Sequence, residues 1–113
     1  MDVQENLPLR EATFFILLSL ATAPRHGYAI MKDTARLSDG RVMLSTGTLY
    51  GAIKRLLGAG WIRRVENGEA EENGRPKKKY ELTEQGRHIF EAKVARLESI
   101  ITVARESTAG VHA

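Results

Sequence analysis

Apolar positions along the chain recur in two periods, and the switches between them divide it into elements. From Thr13 to Ala23 the residues are mostly apolar. Phe14, Leu17, Leu18 and Ala21 fall at helical spacing, and Phe15, Ile16 and Leu20 widen the stripe, which predicts a helix covered on more than one side. Pro8 suits its first turn, where the missing N–H costs nothing, and Pro24 ends it. Gly27 to Leu37 predicts a shorter second helix, with Tyr28, Ile30, Met31 and Ala35 turned inward and Lys32, Asp33 and Arg36 outward. Asp39-Gly40 reads as a turn and Arg41 to Leu44 as one small strand. Ser45 then stands as an N-cap, with Thr46, Gly47 and Thr48 in the first turn of a third helix backed by Leu49, Ile53, Leu56 and Leu57. Gly58-Ala59-Gly60 stops that helix. Trp61 to Glu66 and Lys77 to Leu82 have strand composition, and the turn-forming segment Asn67 to Pro76 between them predicts a β-hairpin with a long tip. Thr83 caps a last helix running to the neighbourhood of Ser107.

The predicted fold class is therefore mainly α with a small β-hairpin. The order helix, helix, short strand, helix, hairpin, helix is that of a winged helix-turn-helix, here extended by a long C-terminal helix. The expected division is a winged domain over residues 1–82, a dimerisation helix over 83–107 and a flexible tail over 108–113. In this arrangement the third helix enters the major groove of duplex DNA and the hairpin lies along the flanking backbone.

Composition narrows the picture a little. A chain of 113 residues with 42% hydrophobic content suits one globular domain, and a modest core gains from pairing with a second copy. The absence of cysteine excludes disulfides, thiolate metal sites and cysteine nucleophiles. The apolar run before Pro24 is shorter than the roughly 20 residues of a membrane span. Asp2, Glu5 and Glu11 give it the wrong sign for a secretory signal, so a soluble, cytoplasmic protein is expected. The net charge of +3 favours a polyanionic partner only once its distribution is considered.

That distribution is uneven. Ser45, Thr46, Gly47 and Thr48 open the third helix with small groups and exposed backbone N–H donors, and Gly47 admits close approach of a duplex. Thr46, Tyr50 and Lys54 share its polar face. Such a face, capped and amphipathic, is often merely solvated. The hairpin adds Arg75, Lys77, Lys78 and Lys79 opposite Arg63 and Arg64. On the second strand Lys77 and Lys79 share one side and Lys78 and Tyr80 the other, so at least one side is densely cationic. Like charges crowded on a ribbon repel, which an anionic partner relieves. The acids gather between Glu66 and Glu72, towards the tip, which is expected to stay clear of phosphate. That acidic tip motivates the competing reading, a winged helix docking a protein partner.

On the last helix Phe90, Val94, Leu97, Ile101 and Ala104 alternate four- and three-residue steps, a heptad seam thickened by Ile89, Ile100 and Val103. So long a helix exceeds what a small domain can cover, and the seam predicts a two-fold dimer that would pair two recognition helices. No catalytic residues, metal ligands or cofactor are expected. His26, His88 and His112 show no ligand spacing, and no nucleophile elbow, phosphate loop or dinucleotide fingerprint occurs.

Pro24-Arg-His-Gly-Tyr28, Leu44-Ser-Thr-Gly-Thr-Leu-Tyr50, Leu56 to Gly60, Gly74-Arg-Pro76 and Lys79-Tyr-Glu-Leu-Thr-Glu-Gln-Gly86 resemble the PadR family of transcriptional regulators, in its order and spacing from Leu9 to Ala104. The single C-terminal helix is similar to the short-tailed branch of that family. The resemblance implies a homodimeric repressor of a pseudo-palindromic operator, often near its own gene. It implies that the last helix packs on the partner's first helix, which brings Phe14, Phe15 and Leu18 to an interface with Phe90, Val94, Leu97, Ile101 and Ala104. Ser45, Thr46, Gly47, Thr48 and Tyr50 would be the DNA-facing start of the recognition helix, with Lys54 nearby and Arg75 and Lys77 as wing contacts. His26, Gly27 and Tyr28 match too, and read as packing and turn residues with no role on DNA. Two departures stand out: Gly51 follows Tyr50 where the family usually has proline, and the sole tryptophan, Trp61, lies at the wing and not on the last helix. A small-molecule effector, if one acts, is expected between the two last helices, around Phe90, Val94 and Leu97 with Phe14 and Phe15.

Overall fold

Burial selects which of these periodic segments become neighbours. A computed structural model of the chain describes residues 10–65 and 78–111. Helix α1 spans Glu11–Ala21, strand β1 Arg25–His26, α2 Gly27–Leu37, α3 Thr46–Ala59, β2 Ile62–Val65, β3 Lys79–Leu82 and α4 Glu84–Thr108. One core joins them: Ile16, Leu17 and Leu20 of α1, Ile30 of α2, Leu49, Ile53 and Leu56 of α3, Trp61, Ile62, Tyr80 and Ile89. Deleting one such side chain to alanine costs about 2–5 kcal/mol.

Helix α1 starts at Glu11 behind an extended Arg10, later than the start expected at Pro8, which lies outside the described residues. Its far end is held by a side chain from the next element. Arg25 Nε donates to the Ser19 carbonyl at 2.6 Å and Arg25 Nη2 to Thr22 Oγ1 at 3.1 Å, placing a cation where α1 leaves its last carbonyls unpaired. Helix α2 corrects one expectation. Tyr28, expected inside, is 68% exposed, while Gly27 and Thr34 are buried beside Ile30.

The small strand expected at Arg41–Leu44 does not form; the third strand of the sheet is Arg25–His26, on the other side of α2. The sheet order is β1-β3-β2, all antiparallel, with Arg25 opposite Tyr80 and Arg64 opposite Tyr80 on its other edge. The physical reason is satisfaction of the backbone. The turn after α2 places Asp39 at φ 54°, and the Val42 N–H donates to Ser38 Oγ at 2.8 Å. Val42 is thereby buried without a ladder partner, and the edge of β3 is already taken by β1.

Helix α3 ends on Gly60 in the left-handed conformation, with the Trp61 N–H bonded back to the Leu56 carbonyl. Helix α4 begins on that same turn. Thr83 Oγ1 donates to the Gly60 carbonyl at 2.6 Å and accepts from the Gly86 N–H at 3.0 Å, and the Thr83 N–H donates to the Trp61 carbonyl. Ile89, expected to thicken the outer seam of α4, is fully buried in the domain's own core. From Ala95 onwards every described residue of α4 is exposed, and the molecule extends 64 × 31 × 22 Å.

Candidate nucleic-acid interface

The first turn of α3 stands on the surface. Ser45, Thr46, Gly47 and Thr48 are all exposed. Ser45 Oγ accepts the Thr48 N–H at 3.2 Å and lies 2.9 Å from Thr48 Oγ1, to which it donates. Ser45 is thus occupied as the cap, while the Thr48 hydroxyl keeps its own proton to donate outward. Lys54 is exposed two turns on, and so is its neighbour Arg55, which the polar-face argument did not single out.

Tyr50 is 45% exposed and leans on α2. A Cβ built at Gly27 would lie 2.5 Å from Tyr50 Oη and 3.0 Å from Cζ, so the ring rests in the space glycine leaves at the start of α2. Beneath it, Tyr80 is buried. Burial, then the neighbouring Tyr50, raise the Tyr80 phenol above its ordinary value near 10, against a smaller lowering by Arg64. Tyr80 also stands directly opposite Arg64 on β2.

The wing's cations divide. Arg63 and Arg64 point to opposite sides of β2, and Arg63 is paired with Glu81 directly across the strand pair. The register therefore splits the expected cluster: Arg64 shares one side of the strand pair with Lys78, and Arg63 shares the other with Lys79 and Glu81. Lys78, the residue before β3, is exposed and Lys79 is half-buried, in register with His26 and Val65. His26 Nδ1 lies 3.1 Å from the Lys78 carbonyl, an acceptor for its N–H. Arg75, Lys77, the acidic run from Glu66 to Glu72 and the hairpin tip lie outside the described residues.

Sequence reasoning missed the short strand that ties Arg25–His26 to β3. Two residues without apolar alternation carry no strand signal. It also missed the outward Tyr28, whose i,i+4 relation to Lys32 was legible and would have placed it on the polar face.

A second surface lies at the root of α4. Phe14 stacks on Phe90 with ring centres 5.4 Å apart and meets Phe15 edge-on at 5.7 Å. Leu18 and Val94 are half-buried nearby, while Leu97, Ile101 and Ala104 continue outward uncovered, with Leu97 at 36% and Ile101 at 48% exposure. Among the described residues no group of three His, Asp or Glu side chains could hold a metal ion, and no helix is long and apolar enough to cross a membrane.

Residues 16–92 match the model of the transcriptional regulator PadR-like family. Over 81 residues the chain is 37% identical to an uncharacterized 37.1 kDa protein in transposon TN4556 of Streptomyces fradiae, covering 72% of this chain and 21% of that relative. It thus spans only a minor part of the curated relative it matches. Among solved structures, a PadR family transcription regulator from Clostridium difficile superposes with a TM-score of 0.68 at 26% identity, covering 86% of this chain and 97% of that one. Bacillus subtilis PadR in complex with operator DNA gives a TM-score of 0.66 at 22% identity over 77% of this chain and 47% of that one. A transcriptional regulator from Clostridium thermocellum gives 0.66 at 24% identity, covering 84% of this chain and 87% of that one.

Proposed function

The chain belongs to the PadR-like family of transcriptional regulators, and from that premise we propose that it is a homodimeric repressor of a pseudo-palindromic operator. The exposed first turn of α3 carries the reading: Thr46, Gly47 and Thr48 open to solvent, with Tyr50 and Lys54 behind them on the same helix. In this reading Thr46, Thr48 and Tyr50 meet base edges, Ser45 holds the turn, and Lys54, Lys79, Arg75 and Lys77 neutralise phosphates. The solved operator complex of Bacillus subtilis PadR supports it through shared fold. Residues 1–82 act as the reading domain, and α4 pairs two copies through Val94, Leu97, Ile101 and Ala104, with Phe90 against Phe14, Phe15 and Leu18 at its root. The uncovered apolar side chains of α4 support that pairing. The protein works in the cytoplasm, where its operator is.

The test is fluorescence anisotropy on the DNA upstream of its own gene and on a random duplex, between about 50 and 200 mM salt. The expected outcome is upstream binding tighter than random by about a thousandfold or more. A Thr48→Ala protein should lose upstream binding and keep random binding. Absence of binding to either duplex at low salt overturns the proposal.

A further inference from the structure

His26 stands where a strand becomes a helix. It is the last residue of β1 and the N-cap of α2, with extended backbone at φ −74° and ψ 157°. A cap position favours a short side chain whose oxygen accepts a helix N–H, and the His26 ring makes no such bond. It reaches across to the wing instead. Its Nδ1 lies 3.1 Å from the Lys78 carbonyl, 52 residues on, and because a carbonyl only accepts, the ring nitrogen is the donor.

The register of the sheet explains why a side chain is used there. Arg25 faces Tyr80 and His26 faces Lys79, so the next pair would be Gly27 with Lys78. Gly27, however, opens α2, and the backbone ladder stops one residue short. The imidazole carries the pairing one step further, to the residue just before β3. Gly27 in turn receives the Tyr50 ring of α3. Two consecutive residues thus touch the two elements proposed to hold DNA, His26 the wing and Gly27 the recognition helix.

We infer that His26 is a positioning residue for DNA binding. Its ring N–H, held on the Lys78 carbonyl, fixes where Lys78 and Lys79 leave the sheet relative to α3, so that the phosphate contact assigned to Lys79 and the base contacts assigned to α3 fit one duplex together. This inference rests on the DNA-binding reading above. It gives His26 a part that the sequence, read there as packing and a turn, did not assign. The imidazole itself touches neither base nor phosphate.

His26→Ser and His26→Asn separate this role from helix capping. Serine and asparagine cap helices about equally well, so both favour the start of α2. Serine is too short to reach the Lys78 carbonyl, whereas the asparagine amide nitrogen stands as far from Cβ as Nδ1 does in histidine. Anisotropy is measured on a random-sequence duplex over about 50 to 200 mM salt, with the urea midpoint of each protein alongside. His26→Ser is expected to weaken binding about tenfold and to reduce the log–log salt slope by about 0.9 per protomer, the share of one phosphate. Its urea midpoint should be no lower than that of the unmodified protein, because the cap gained offsets the bond lost. His26→Asn should recover both affinity and slope. Duplex binding by the unmodified protein, with His26→Ser binding as tightly at the same slope or with His26→Asn recovering nothing, overturns the role of His26 and leaves the DNA reading standing. Affinity that falls in step with a lowered midpoint in both variants makes His26 a packing residue only, and overturns the role equally. No duplex binding by the unmodified protein overturns both readings.

Discussion

The same substitution at two buried glycines separates packing from function. Both Gly27 and Gly86 lie in the first turn of a helix, where alanine by itself favours the helix by about 1 kcal/mol over glycine. At Gly86 the added methyl runs into the Trp61 carbonyl oxygen, with the carbonyl carbon 2.8 Å away. That backbone is pinned by the Thr83 N–H, so it cannot retreat. Gly86→Ala is expected to destabilise by about 3 kcal/mol, read as a lower urea midpoint at unchanged m. At Gly27 the methyl meets the free end of Tyr50, which can swing away. Gly27→Ala should change the free energy of unfolding by no more than about 0.5 kcal/mol and weaken upstream DNA binding. In a Tyr50→Ala background it should weaken binding no further; a full additional loss would mean that Gly27 acts independently of Tyr50. Tyr80 adds a pH dependence. Burial raises its folded value above the unfolded value near 10, so the fold holds the neutral phenol. Its contribution is complete below pH of about 10 and is lost as pH rises through the folded value. Tyr80→Phe should flatten the alkaline decline of the urea midpoint, and an equally steep decline would assign it to other groups.

At the scale of elements, much was legible because helices announce both ends. Ser45, Gly60 and Thr83 are cap residues whose side-chain or left-handed geometry appears where the sequence put it. Strands announce themselves less, and β1 not at all. Arg25 and His26 are polar, and what makes them a strand is the free edge of β3 and the need of Arg25 to reach the end of α1. The segment Arg41–Leu44 shows the converse: largely apolar composition that pairs with no strand, its Val42 N–H bonded to Ser38 Oγ. Helix α4 is the element where sequence and single-chain packing part company. Its first turns obey the domain's core through Ile89. Its outer half keeps the heptad but finds nothing among the described residues to bury it, with Ile100, Ile101 and Val103 at 47%, 48% and 60% exposure. Ile101→Asp puts a charge on that seam far from α3. The expected result is a monomer in sedimentation at concentrations where the unmodified protein is a dimer, with part of the helical circular dichroism lost as the uncovered turns fray. A dimer that survives the aspartate would move the interface off the seam.

For the whole molecule, the question is how a surface with few base-reading groups could select one site among many. In the reading proposed above, one copy offers Thr46, Thr48 and Tyr50, and a few such contacts at about 1–3 kcal/mol each fall short of the discrimination an operator requires. Two copies held in fixed geometry double those contacts and convert the second half-site into an intramolecular event. On the proposed reading, the surface of α3 and the α4 seam are thus coupled although no residue belongs to both. Ile101→Asp, which leaves α3, the wing and α2 untouched, should therefore lose upstream affinity by at least about a hundredfold, the usual scale of avidity, and lose far less on random DNA. The loss should be recovered by restoring the pair artificially, with a parallel coiled coil fused after α4 that returns two copies to one particle. Recovery of affinity with the aspartate still present would assign the seam to holding the two reading helices together. Failure to recover in a particle proven dimeric would mean that the seam also sets their spacing, since half-sites one helical turn apart tolerate little change in the distance between paired helices.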